Sequence, residues 1–300
     1  MPQYTDELCC VINTALDEAT QFDVDCPVRL REAIRYSLLA SGKRLRPILV
    51  LTACELCGGD RQKAIPAACA VEMIHAYSLI HDDLPAIDND DLRRGLPTCH
   101  KKFDEPTAIL AGDALLALSF EMLGNLTPLE LAGRCCKELA VAAGPCRLVG
   151  GQMDDIYSSN NSIESGSIQI IEHIHRRKTG ALIRTSLRLG CLLAGASEKQ
   201  QIALDEFGTY FGLAFQITDD LLDVLGNEQT VGKRLRKDTE NDKWSYPRFL
   251  GVDGAKREAE QTLKLAEHSL EYFRNNNPAQ NNIPLQTLDN MVKHLALREK

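Results

Sequence analysis

Residues 71–98 of this 300-residue chain read VEMIHAYSLIHDDLPAIDNDDLRRGLPT, and no other stretch limits the fold so tightly. Apolar residues recur on successive helical turns: Val71, Ile74, Tyr77 or Ser78, and Ile80 or His81. The stretch then turns acidic, with Asp82, Asp83, Asp88, Asp90 and Asp91, and Arg93 and Arg94 follow at once. Carboxylates at the end of an otherwise buried helix are unfavourable unless a cation neutralises them. An all-oxygen ligand set suits a hard ion, and Mg²⁺ characteristically takes one or two carboxylates plus substrate phosphates. Arginines beside it would clamp those phosphates. The stretch reads as a magnesium–diphosphate site mounted on a helix.

The spacing predicts a break. Asp82 and Asp88 do not share a face of an unbroken helix. Pro85 lies between them and cannot continue the helical hydrogen bonding, so the looped chain can bring Asp88 back beside Asp82. Alone, such a charge run reads equally well as a solvated acidic loop. A second run weighs against that. Residues 215–226, FQITDDLLDVLG, carry Asp219, Asp220 and Asp223 among apolar positions. Asp219 and Asp223 are i and i+4, where like charges repel. A cation shared between two such helices resolves both conflicts.

DDLPAID followed by RRG, with the later DDLLD, resembles the two aspartate-rich motifs of short-chain trans-prenyl diphosphate synthases. The pattern looks most like the bacterial-type farnesyl diphosphate synthases, with geranylgeranyl diphosphate synthases next. GKRLRP at 42–47, GDALL at 112–116, GGQMDD at 150–155, KTGAL at 178–182 and the lysines after 230 match in order, so the likeness covers nearly the whole chain. The resemblance implies an all-α, isoprenoid synthase-type helical bundle around a central cavity, built as one polyprenyl synthetase domain over residues 1–300. It implies a Mg²⁺-dependent prenyltransferase that condenses isopentenyl diphosphate with dimethylallyl and geranyl diphosphate to farnesyl diphosphate, and a homodimer. Several magnesium ions, bridged to the diphosphate, would lie on Asp82, Asp83, Asp88, Asp219, Asp220 and Asp223. Asp82, Asp83, Asp88, Arg93, Lys178 and Asp219 are implied as catalytic. Gly42, Lys43, Arg46, His75 and Arg94 are implied for isopentenyl diphosphate. Arg93, Lys178, Thr179, Gln216, Lys233 and Lys243 complete the implied substrate contacts.

Physical readings of these residues stand beside the resemblance. Arg46 precedes Pro47 and is biased away from helical geometry, while Pro47 suits a first helical turn. Lys43, Arg44 and Arg46 then sit just before a helix N-terminus, either an anion site or a basic surface loop. His75 on the apolar stripe reads as a core histidine or a substrate contact, and His81 has the weaker case for contact. Lys178, Thr179 and Gly180 interrupt a helical pattern over 169–194 and predict a kink. Gly150 and Gly151 predict close backbone packing, with Gln152 nearby. The segment from 230, TVGKRLRKDTENDKWSYP, is polar and basic and reads as a lid. It departs from the family pattern at Arg236, Trp244 and Ser245.

Tyr77 lies five residues before Asp82, so its side chain begins roughly 7.5 Å below the metal at 1.5 Å per residue. An aromatic there, beside the small Ser78, can floor the cavity, and the resemblance associates that with the C15 product. If Tyr77 only packs a helix interface, the floor lies deeper and C20 results. Other readings remain: a terpene cyclase, a non-catalytic partner subunit of a prenyl synthase, and a generic cation scaffold. GKRLRP and the second aspartate motif count against the first, intact motifs against the second, and the ordered basic motifs against the third.

Composition narrows the rest. A net charge of −8 disfavours nucleic acid as a partner, so an anionic substrate must be held by local basic residues and metal. Eleven cysteines are scattered through helical patterns and read as reduced thiols; Cys54 and Cys57 lack a second pair for zinc. No run is read as a membrane span. The acidic, amphipathic N-terminus lacks signal and transit features, so a cytoplasmic location follows by default.

Overall fold

The computed structural model describes residues 2–158, 167–225, 244–276 and 282–297. Its centre is α4, Arg61–Asp82, which starts ten residues before the apolar pattern read from the sequence and runs through Pro66. Asp60 caps it by accepting from Gln62 N at 3.0 Å. Ala64, Ala67, Ala68, Ala70, Val71, Met73 and Ile74 are fully enclosed. A helix apolar all round must be surrounded, and the small alanines let neighbours come close. α3 (Leu45–Leu56), α6 (Glu105–Gly124) and α10 (Ala181–Ala194) pack against it. α1 (Pro2–Ala19) and α2 (Val28–Leu38) cover its flank.

A second core joins α3 and α10 to α11 (Glu198–Leu225) and α14 (Ile283–Leu297), with Phe207 and Phe211 stacked at 5.3 Å. α12 (Tyr246–Ser269) lies along α11, and α13 (Glu271–Asn276) follows it. α7 (Leu129–Ala143) and α8 (Leu148–Ser158) are separate helices, with Pro145 between them. The predicted kink after α9 (Ile168–His175) is a π-helical turn, Arg176–Gly180, leading directly into α10. π turns of this kind concentrate at functional sites.

One reading needs correction: Arg46 lies inside α3, because the helix starts at Leu45 and Pro47 falls within its first turn. α6 is long and apolar enough to cross a membrane, but Ala108, Ala111, Leu115 and Leu123 are buried in the core beside α4. A hairpin unforeseen in the sequence follows α4: β1 (Leu92–Arg93) pairs antiparallel with β2 (Leu96–Pro97) before the short α5 (Cys99–Lys102). Its two turn residues, Arg94 at φ 55° and Gly95 at φ 78°, are both left-handed, the geometry of a two-residue hairpin turn matched to strand twist.

Candidate active site

α4 ends at Asp82, three residues before Pro85. The chain then curls back on itself: Asp88 N donates to Asp82 O at 2.9 Å, and Asp90 N donates to Asp83 O at 3.1 Å. These two bonds bring Asp88 beside Asp82, as the proline predicts. Burial pushes the Asp82 carboxyl up to about 6 against the pull of Lys178; Asp88 adds to the rise and Arg93 opposes it. Asp83 faces the other way and is 3% exposed. Arg93 grips it, Nε donating to both oxygens at 2.9 Å and Nη2 to Oδ1 at 2.6 Å. Burial raises the Asp83 carboxyl, and these bonds pull it down.

The hairpin carries the arginines to the helix. Arg94 Nη1 donates to Ser41 O at 3.0 Å. A Cβ on Gly42 would overlap Nη1 and lie 2.8 Å from Cζ, so Gly42 is the space that Arg94 occupies. Arg46 Nη1 lies 3.3 Å from His75 Nε2, while Arg46 Nε is buried with no hydrogen-bond partner. Burial lowers the Arg46 guanidinium to about 10, with Glu72 and Asp219 opposing and Arg94 adding to the fall. Burial, then the charges of Arg46, Arg94, Arg93 and Arg44, hold His75 well below the ordinary histidine range. The ring is therefore neutral and accepts from Arg46. A cleft between α2, α4 and the hairpin is lined by Tyr36, His75, Asp83, Arg93 and Arg94. Three guanidinia round a neutral histidine, with one buried donor orphaned, suit an anion. Lys43 is exposed just before α3. Arg44 leaves the set: it is 4% exposed and spent on Glu72 at 2.7 Å, with Asn13 and Ala40 O filling its other donors.

The opposite wall is the π turn and α11. Lys178 Nζ donates to Asp155 Oδ2 at 2.7 Å. A Cβ on Gly151 would overlap Lys178 N, so the close packing read from Gly150-Gly151 is present. Thr179 Oγ1 donates to Gln216 Oε1 at 2.7 Å, and Gln216 Nε2 donates to Asp220 Oδ1 at 3.2 Å. Asp220 Oδ2 also accepts from His175 Nε2 and from Tyr246 N, each at 3.0 Å. Asp220 is thus a buried hub, and Asp219, after Glu72, is a carboxylate whose charge acts on Arg46. Asp223 is buried one turn further along. Gln152 sits in α8 with both amide atoms buried and unbonded. Lys233 and Lys243, with the rest of 226–243, lie outside the described residues, as does most of the polar loop at 158–168.

Below this lies Tyr77, 7% exposed, its hydroxyl raised by burial and by Asp82. Ser78 Oγ turns back to His75 O at 2.9 Å. Among the described residues no three His, Cys, Asp or Glu side chains gather closely enough to hold an ion alone. The donors present, Asp82, Asp88 and Asp219, are hard oxygens, and burial with its acidic neighbours lifts the Asp82 carboxyl despite Lys178 and Arg93. They fit Mg²⁺ if diphosphate oxygens complete its shell. Sequence reasoning missed His175. Asp154 and Asp155, the consecutive acids of GGQMDD, pair with the consecutive bases Arg177 and Lys178.

The polyprenyl synthetase family model matches residues 27–276. The chain is 47% identical over 274 residues to the chloroplastic geranylgeranyl pyrophosphate synthase of Capsicum annuum, covering 90% of this chain and 73% of that protein. It is 42% identical over 272 residues to the farnesyl diphosphate synthase of Geobacillus stearothermophilus, covering 89% and 90%. The solved geranyltransferase of Legionella pneumophila superposes with a TM-score of 0.85 at 32% identity, over 99% of this chain and 96% of that one. An FPP/GFPP synthase of Zymomonas mobilis gives 0.84 at 33% identity, over 98% of each.

Proposed function

This chain belongs to the polyprenyl synthetase family and is a trans-prenyl diphosphate synthase, and from that premise we propose that it condenses isopentenyl diphosphate with dimethylallyl and then geranyl diphosphate to give farnesyl diphosphate. The observation that carries the reading is the pairing of a carboxylate end, Asp82 with Asp88, its carboxyl pushed up by burial, with a basic cluster, Arg46 with His75 and Arg94, in which the buried Arg46 Nε has no partner. One binds a metal–diphosphate, the other a bare diphosphate. Mg²⁺ held by Asp82, Asp88 and Asp219 supplies, when bound, neutralisation of the departing diphosphate.

The chain's own residues do the rest. Lys178 and Arg93 face the leaving diphosphate as its charge grows; Thr179 orients Gln216, and Lys233 and Lys243 complete the clamp. Arg46, Arg94 and Lys43 hold the isopentenyl diphosphate, and neutral His75 accepts from Arg46 and fixes its fork. The allylic carbon–oxygen bond breaks, the isopentenyl double bond attacks the cation, and proton loss leaves a product one isoprene unit longer. Apolar α4 and α6 side chains keep water, which would capture the cation, away.

Tyr77 a turn below Asp82 supports the C15 product. The kinship with geranylgeranyl pyrophosphate synthases supports a second reading, C20, with the floor deeper. Exposed Ile109, Leu110, Leu129 and Val141 on α6 and α7 support a homodimer across that face. The chain acts as a single domain.

The test is product analysis: the protein is incubated with Mg²⁺, isopentenyl diphosphate and dimethylallyl diphosphate, and the hydrolysed prenols are separated by length. Farnesol is expected. Geranylgeraniol would replace the C15 reading with C20, and no elongation would point to a partner subunit.

A further inference from the structure

We propose that His81 is a positioning residue for product length, pinning the Tyr77 ring against α6, and that Gly112 provides the seat His81 needs. This rests on the reading of Tyr77 as the cavity floor. Tyr77 and His81 are i and i+4, one above the other on one face of α4. Their rings meet edge to face, centroids 5.7 Å apart and planes at 83°, the arrangement that ring quadrupoles favour. His81 Nε2 lies 3.0 Å from the carbonyl oxygen of Ile109 in α6. A carbonyl only accepts, so Nε2 carries the proton and donates. The same end of the imidazole rests on Gly112. A Cβ there would overlap Nε2 and lie 2.5 Å from Cδ2 and 2.9 Å from Cε1. Ile109 and Gly112 are one turn apart, so carbonyl and gap form a single socket on α6 for this one ring.

The consequence follows from rotamers. An unrestrained tyrosine samples several staggered χ1 wells, and each well gives the cavity a different depth. His81 is anchored at its far end to another helix and immediately precedes Asp82. The ring contact therefore fixes the floor relative to the carboxylate end where the diphosphate is held. Loosening the socket frees Tyr77 and lengthens the product without any change to a group that touches diphosphate.

The experiment compares product-length distributions, and KM for isopentenyl diphosphate, for His81→Gln, Gly112→Ala, Tyr77→Ala and Gly112→Ala combined with Tyr77→Ala. Glutamine keeps a donor within reach of Ile109 O and removes the ring; alanine at 112 keeps the ring and closes its seat. Each single change at 81 or 112 is expected to raise the share of product one unit longer than that of the unsubstituted protein roughly three- to tenfold, the range one edge-to-face contact carries, with KM for isopentenyl diphosphate unchanged. In the Tyr77→Ala background, Gly112→Ala adds nothing further. Unchanged lengths for both variants, while Tyr77→Ala lengthens the product, overturn the proposal and leave the floor reading standing. Unchanged length for Tyr77→Ala overturns the floor reading and this one with it. A loss of rate at His81→Gln with no change in length means that the ring serves Asp82 instead, and also overturns it. Should Gly112→Ala fail to fold, His81→Gln decides alone.

Discussion

The ends of α4 and α11 carry the same paired aspartates and hold them by different means. Both pairs sit in the last turns of their helices, where the backbone dipole already points its negative end. In each, the second aspartate is turned into the protein and almost fully buried: Asp83 at 3%, Asp220 at 4%. In each, the first, Asp82 or Asp219, stays partly open. At α4 the anchor is a charged clamp, Arg93, delivered ten residues later by a hairpin. At α11 it is a set of donors: His175 from α9, Tyr246 N from α12, and Gln216 one turn back on α11 itself. One doublet thus divides in two: one carboxylate ties the helix end to the fold, and the other stays part-exposed at the site.

The sharpest way to break that division is to remove the outward members. Asp82→Ala and Asp219→Ala are each expected to lower turnover by at least about a thousandfold, in line with losing a principal charge stabiliser, while circular dichroism stays native. A near-normal rate for either would sink its assignment to the cation. The inward members should fail differently. Asp220→Ala strands three donors, two of them buried, and is expected to cost about 3–5 kcal/mol of stability in urea. Asp83→Ala leaves Arg93, which is 31% exposed and can turn to water, at about 1 kcal/mol. Equal losses would erase the difference between the two anchors.

The arginine dependence of the α4 end can be sharpened at Gly42. Alanine there displaces Arg94, and loss of one charge-assisted bond is expected to raise KM for isopentenyl diphosphate about tenfold. KM for the allylic substrate should hold; a rise in both would mean a general distortion. The smallest effect concerns protons. Because the folded Asp82 carboxyl lies above its unfolded value, the metal-free fold binds a proton between about pH 4 and pH 6 that the unfolded chain does not. Its stability should rise as pH falls from 7 to 5. Asp82→Asn should flatten that part of the profile in paired thermal scans, and an identical profile would refute the shift.

The pattern of aspartates, arginines and prolines was enough to place the α4 end, its return loop and the kink before α10, because each depends on local chemistry: a proline that stops hydrogen bonding, a glycine that permits a defect. Position along the chain could not say which of two adjacent aspartates faces inward, since that is decided by His175 and Tyr246 arriving from elsewhere. Nor could it separate Arg44 from its basic neighbours. Their charges are identical in sequence, and only the burial of Glu72 opposite Arg44 assigns it to the frame. The hairpin escaped notice because Arg94 carries a left-handed backbone that glycine or asparagine more often signals. Trp244, unusual in the sequence, is buried edge-on to Phe249, 6.1 Å away, where the description resumes after residue 243.

The π turn at Arg176–Gly180 holds one residue more than a regular helix has room for. Removing a single residue from that stretch would let α9 and α10 run on as one regular rod, their own faces still in register. Only the widened turn itself would be lost, and with it the fit of Lys178 to Asp155 on α8 or of Thr179 to Gln216 on α11. The surplus residue is thus what lets two adjacent side chains reach two different helices.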